Sequence, residues 1–179
     1  MKSVAIAQTS VEQSVEQFLR QSAGKWHSQR RYYTLNSNNN PILEATSKIE
    51  VVFLDGDRPE LQELAQLHRL TEDQPFSCGS KVTWHSTYTN ANRQSLIGET
   101  LFGIKGNALY RDRGFSNAQP VVANFEMPSP QLLRLYSAYD GASFEEEIKL
   151  IGQAYRTRQT IITKAGREVM IGQYLETRC

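Results

Sequence analysis

The residues with the most chemical potential in this chain are Glu146, in FEEEIKLI, and Arg156 and Arg158, in YRTRQTII. In extended backbone, alternate residues share a face. Glu146, Ile148 and Leu150 therefore line one side of the first stretch, and Arg156, Arg158, Thr160 and Ile162 line one side of the second. The link Gly152-Gln153-Ala154 is short enough to make a hairpin that puts both sets on the same side of a sheet. A carboxylate and two guanidiniums then stand among aliphatic side chains. Charges in such surroundings are costly unless paired or bound to something. Guanidinium forks grip carboxylates, and a carboxylate accepts from N–H donors and exchanges protons. The same pattern also fits a solvated outer face with cross-strand ion pairs, and the residues alone leave both readings open.

A second charged cluster lies in SAGKWHSQRRYYTL, residues 22–35. Trp26, Ser28, Arg30, Tyr32 and Thr34 share one face, and His27, Gln29, Arg31, Tyr33 and Leu35 share the other. Only one of the adjacent arginines can point inward, and Arg30, on the Trp26 face, is the expected one. Trp84 in KVTW reads either as core or as a pocket wall. Glu126, Tyr136 and Tyr139 are further candidates for a pocket lining. In YRDRGF, Arg111 and Arg113 fall opposite Tyr110, Asp112 and Gly114, the pattern of a solvated strand end and its turn.

These residues need a scaffold. Residues 10–23 have an apolar stripe at Val11, Val15, Phe18 and Leu19, which predicts a helix with Ser10 as N-cap, ended by Gly24. Strands are expected over 26–35 and 45–54, with a polar turn at 36–41. Residues 58–69 read as a short inserted helix, with Asp57 as N-cap and Pro59 in its first turn. Further strands are expected over 81–90, 95–106, 108–115, 120–127, 131–140, 143–151, 155–164 and 168–178, joined by short links such as ANRQ, GN, SNAQ, PSP, GA, GQA and AGR. About ten strands at this spacing predict an all-β antiparallel barrel wide enough for one small ligand, built as a single domain over 1–179.

Composition narrows the function. The chain has 179 residues and a net charge of +1, with 20 basic and 19 acidic side chains, so no nucleic-acid partner is expected. No apolar run is long enough to cross a membrane, and the start lacks a leader pattern, so a cytoplasmic protein is expected. Cys78, Cys179 and three scattered histidines predict neither a disulfide framework nor a metal site. Dinucleotide, P-loop and nucleophile-elbow motifs are absent from the sequence.

Four phrases carry a family likeness: SAGKWHSQR at the first helix–strand junction, CGSKVTW at 78–84, LYRDRGF at 109–115 and FEEEIKLIGQAYRTRQTI at 144–161. In this order the chain resembles the S/U-type phycobiliprotein lyases of cyanobacteria. The resemblance implies a lipocalin-like ten-stranded barrel. It also implies that the protein binds an open-chain tetrapyrrole, phycocyanobilin or phycoerythrobilin, as substrate, with no permanently bound cofactor. The pigment would be delivered to a cysteine of an apo-phycobiliprotein subunit, where the thiol adds to its ethylidene group.

Carried over by motif, Arg30, Trp84, Glu146, Arg156, Arg158 and, more loosely, Glu176 would hold the pigment. Arginines would grip its propionates, and Glu146 would hydrogen-bond the pyrrole N–H groups. Glu146 and Arg156 would carry catalysis. The nucleophile belongs to the acceptor, so neither cysteine of this chain needs a catalytic role. In lipocalin barrels a Gly-x-Trp such as Gly24-Lys25-Trp26 closes the barrel bottom, often with an arginine on the indole. Many S-type members continue SQR with a histidine pair where this chain has Tyr32 and Tyr33. That departure resembles a U-type branch that works beside an S-type partner, and a homodimer is also open. A lipocalin-type carrier that holds a bilin or other tetrapyrrole without transferring it is the alternative reading, and a supporting subunit of a paired lyase is another.

Overall fold

The computed structural model describes residues 2–35, 39–73, 75–115 and 117–179, with the side chains of residues 2–10 left out. Ten strands close into one antiparallel barrel: β1 Gly24–Thr34, β2 Leu43–Asp55, β3 Cys78–Tyr88, β4 Leu96–Lys105, β5 Ala108–Arg111, β6 Val121–Ser129, β7 Leu132–Tyr139, β8 Ala142–Ile151, β9 Tyr155–Lys164 and β10 Arg167–Arg178. Every strand pairs with its neighbours in sequence, and β1 closes the ring by pairing with both β2 and β10. Closure leaves no long sheet edge exposed and makes every second side chain face a common interior.

Two helices complete the fold. Helix α1, Lys2–Ser22, buries Val15, Phe18 and Leu19 against Trp26, Ile49, Val51, Cys78, Ile104 and Leu109, and so closes one end of the barrel. Arg178 ties that end together. It donates to the carbonyls of Gln21, Ala23 and Gln153 and lies 4.2 Å from the indole centre of Trp26. Trp26 donates in turn to the Ser22 carbonyl at 2.9 Å. Gly24 is needed here: its φ is +125°, and a Cβ would lie 2.7 Å from the Arg178 guanidinium. The floor expected from Gly-x-Trp is therefore present, with Arg178 as its arginine. Helix α2, Pro59–Leu67, packs Leu61 and Leu64 with Leu54 and Phe76 on the outer wall, beside Leu101 and Tyr110.

Several expected boundaries need correction. Helix α1 begins eight residues before Ser10, because nothing in residues 2–9 breaks a helix, so Ser10 lies inside it and is not the N-cap. Arg58, not Asp57, is the α2 N-cap, and its side chain makes no capping bond. The PSP link is partly strand: Pro128 lies within β6 at a register shift, where a missing N–H is tolerated. Strand β5 stops at Arg111 rather than 115. The Asp112 carboxylate accepts from the Leu101 N–H and the Thr100 hydroxyl, so a side chain takes over where the ladder would have continued. Of the expected turn at 36–41, residues 36–38 lie outside the described residues.

Candidate functional site

Inside the barrel is a cavity of about 520 Å³ that runs from Phe18, Leu19 and Ser22 of α1 to Phe115 and Asn117 in the β5–β6 loop. That volume suits a ligand of a few tens of heavy atoms. Ile49, Val51, Val82, Leu133, Leu135 and Ile148 form much of its wall. Ser28, Ser47 and Ser86 lie side by side across β1, β2 and β3, all buried. A second groove of about 620 Å³ is lined largely by outward polar groups such as Gln29, Arg31, Thr157 and Gln173, and shares only Arg30, Arg158 and Tyr174 with the cavity. The buried charges converge in the interior cavity, which marks it as the candidate site.

The hairpin register brings Glu146, Arg156 and Arg158 together. Leu150 faces Arg156, Ile148 faces Arg158 and Glu146 faces Thr160 across β8 and β9, and all six side chains point inward. Arg158 lies 3.5 Å from one Glu146 oxygen and 4.0 Å from Glu176. Arg156 donates to the Glu176 carboxylate and packs 4.7 Å from the Trp26 ring centre, which places this pair on the barrel floor. The Glu176 side chain is fully buried, and that of Arg156 is 6% exposed.

The buried charges hold one another ionised. Burial works against the Glu176 carboxylate, but Arg156 and Arg158 overcome it and keep its pKa below the usual carboxylate value. Burial pulls the Arg156 guanidinium down to about 10, still well above neutrality. For Arg158 burial is again the largest influence, yet Glu176 and Glu146 outweigh it and raise the pKa.

Arg30 points inward and Arg31 outward. Arg30 donates to Ser28 Oγ at 3.2 Å and lies 5.1 Å from the Tyr174 ring centre, whereas Arg31 pairs with Glu44 outside at 3.1 Å. Tyr174 stands between two guanidiniums, with Arg158 5.7 Å from its ring centre and Tyr32 edge-on at 5.7 Å. Burial raises the Tyr174 phenol well above its ordinary pKa, so it stays neutral. Trp84 both lines the cavity and packs on the core. Its indole covers Gly98, where a Cβ would come within 2.4 Å of the ring.

The three other pocket candidates fare differently. Glu126 and Tyr136 are on the outside, where Glu126 pairs with Arg134 and Tyr136 is 49% exposed. Tyr139 does not line the cavity. It stacks on Phe144, which also stacks on Phe115, and its hydroxyl accepts from the Phe115 N–H.

Two interior residues escaped the sequence reading. Tyr174 shares a strand face with Glu176, so the period-two rule already implied it. Arg111 was read as solvated, but its side chain is only 11% exposed. It lies 3.6 Å from the second Glu146 oxygen, with ring centres of Phe115 and Phe102 at 4.5 and 5.2 Å. The alternation that sets it apart from Tyr110 holds, but the stretch is not a solvated strand end: α2 covers the Tyr110 side, and Arg111 faces the cavity with Leu109.

Comparison with known proteins agrees with this architecture. A family model described as CpeS-like protein matches residues 14–179. A candidate chromophore lyase, CpcV, of Picosynechococcus sp. is 62% identical over 161 residues, covering 90% of this chain and 79% of its own. A candidate phycocyanobilin lyase, CpcS 2, of Nostoc sp. is 49% identical over 179 residues, covering 99% and 98%. The solved S-type phycobiliprotein lyase CpeS of Guillardia theta superposes with a TM-score of 0.76 at 22% identity, over 92% of each chain, and shares the fold. With its ten-stranded barrel and a family match that spans all but the first thirteen residues, the chain belongs to the CpeS-like family.

Proposed function

We propose that the barrel binds an open-chain tetrapyrrole in its interior cavity and presents it to a cysteine of an apo-phycobiliprotein subunit. The protein is a chromophore lyase, as its relatives are named. One observation carries the pocket assignment. Arg111, Arg156 and Arg158 pair with two carboxylates, Glu146 and Glu176, and Arg30 lines the same cavity against Ser28 and Tyr174, so these four guanidiniums exceed the two carboxylates by two positive charges in a largely apolar barrel. A pigment with two propionates supplies the missing charges, and its conjugated rings suit the walls formed by Trp84 and Phe115.

In this reading Arg30 and Arg158 grip a propionate. Arg156 and Glu176 form the charged floor that orients Arg158, and Glu146 accepts from pyrrole N–H groups and favours the protonated, more electrophilic pigment. The acceptor thiol then adds across the ethylidene double bond. The S–C bond forms as the C=C π bond breaks, and the thiol proton ends on the pigment. Cys78 is buried, and burial pushes its thiol up to about 12, so it takes no part as a nucleophile.

Tyr32 and Tyr33, which stand where many S-type members carry a histidine pair, support a U-type role beside an S-type partner. Among the described residues no helix is long and apolar enough to cross a membrane. The test is to incubate the protein with phycocyanobilin or phycoerythrobilin and an apo-subunit, with and without an S-type partner. A covalently pigmented band after denaturing electrophoresis is expected. A pigment spectrum that shifts on binding, with no covalent band in either mixture, would make the protein a carrier.

A further inference from the structure

The buried arginines differ in how fully they are engaged. Arg156 is bonded to Glu176 and stacked on Trp26, and Arg158 lies within reach of two carboxylates. Among the described residues Arg111 has a single counter-charge, Glu146, at 3.6 Å, and its Nε is buried without a hydrogen-bond partner. A buried donor in that state favours any ligand that can accept from it. The backbone beneath it is fixed. His68, just past α2, donates from Nε2 to the Arg111 carbonyl at 2.8 Å and packs edge-on against Tyr110. The short inserted helix thus anchors the strand end from outside, while Phe102 and Phe115 flank the guanidinium inside. Around the ring, β5 is four strands from β1 one way and six the other, so Arg111 and Arg30 project from nearly opposite walls.

We propose that Arg111 is the second carboxylate-binding residue of the cavity. When the ligand enters, Arg111 leaves Glu146 for one propionate while Arg30 and Arg158 hold the other. Glu146 keeps Arg158 and gains an oxygen free to accept from a pyrrole N–H. The exchange needs little backbone motion, because the ion pair it breaks is already longer than a hydrogen bond. This inference rests on the tetrapyrrole reading above.

The test is a binding titration of the full chain with phycocyanobilin and with its dimethyl ester, which keeps the rings and removes both charges. Wild type should prefer the diacid. Arg111→Gln should weaken diacid binding about ten- to hundredfold, the worth of one charge-assisted contact, and leave ester binding unchanged. Arg111→Lys should recover part of the preference. Equal weakening of both pigments, or of neither, overturns the proposal, since a residue that only shapes the wall cannot tell acid from ester. Should Arg111→Gln not fold, the Arg111→Lys ratio decides, and an acid-to-ester ratio equal to that of wild type refutes the role of the guanidinium fork. Failure of wild type to bind either pigment would instead refute the tetrapyrrole reading itself.

Discussion

Removing one member of the Arg156–Glu176 pair should cost more than removing both. Glu176 is fully buried and Arg156 nearly so. Arg156→Met leaves the carboxylate with Arg158 at 4.0 Å as its nearest remaining partner. Glu176→Leu leaves Arg156, which packs on Trp26 with Arg178 and is repelled by Arg158, without that counter-charge. Breaking a buried pair from one side costs about 3–5 kcal/mol, out of about 5–15 kcal/mol for a whole domain. For a chain of this size that lowers the melting midpoint by about 6–20 °C. The Arg156→Met/Glu176→Leu double variant buries no unpaired charge at this position and should fall within about 2 kcal/mol of wild type. A double-mutant cycle by urea denaturation should therefore show a coupling energy of about 4 kcal/mol or more. Additive single effects would refute the reasoning, because they would mean that neither charge depends on the other. An Arg156 single variant would thus lose chromophore transfer partly by losing the fold, whereas the double variant, which keeps the fold, reads what the charged floor as a whole contributes to transfer.

Three further outcomes are expected. Because the Glu176 pKa is lowered by folding, its contribution to stability is full above the unfolded carboxylate value of about 4.3 and is lost as pH falls through the lower folded value; the acid side of a melting-temperature profile should be flatter in Glu176→Gln than in wild type. Cys179 should react with iodoacetamide in the native protein at pH 8 while Cys78 stays protected, and Cys78→Ala should transfer pigment normally; rapid labelling of Cys78 would contradict its burial under α1. Gly98→Val places a side chain where the Trp84 indole now lies, so it should displace the ring and weaken pigment binding at least tenfold, whereas unchanged binding would remove Trp84 from the site.

Much of the barrel was legible in the sequence. Period-two alternation and turn-like links located all ten strands, since a half-buried strand must alternate to keep its polar side chains out of the core. The same rule put Arg30 inside and Arg31 outside, and set Glu146, Arg156 and Arg158 on one wall. Element ends were less legible. The stop of β5 at Arg111 depends on the Asp112 carboxylate meeting the Leu101 N–H, a contact between strands that no local pattern encodes.

By itself, then, the sequence determined the alternation, the strand count and the motifs that tie this chain to its family, because each is written in residue types a few positions apart. Only the tertiary structure decided which alternating face is the interior at β5, where α2 covers the Tyr110 side and turns Arg111 into the cavity. It alone showed that Arg156 is committed to Glu176 while, among the described residues, the Arg111 Nε has no acceptor. Those assignments rest on how charges from β5, β8, β9 and β10 meet once the ring has closed, and Coulomb and hydrogen-bond energies depend on distances in space that spacing along the chain does not set.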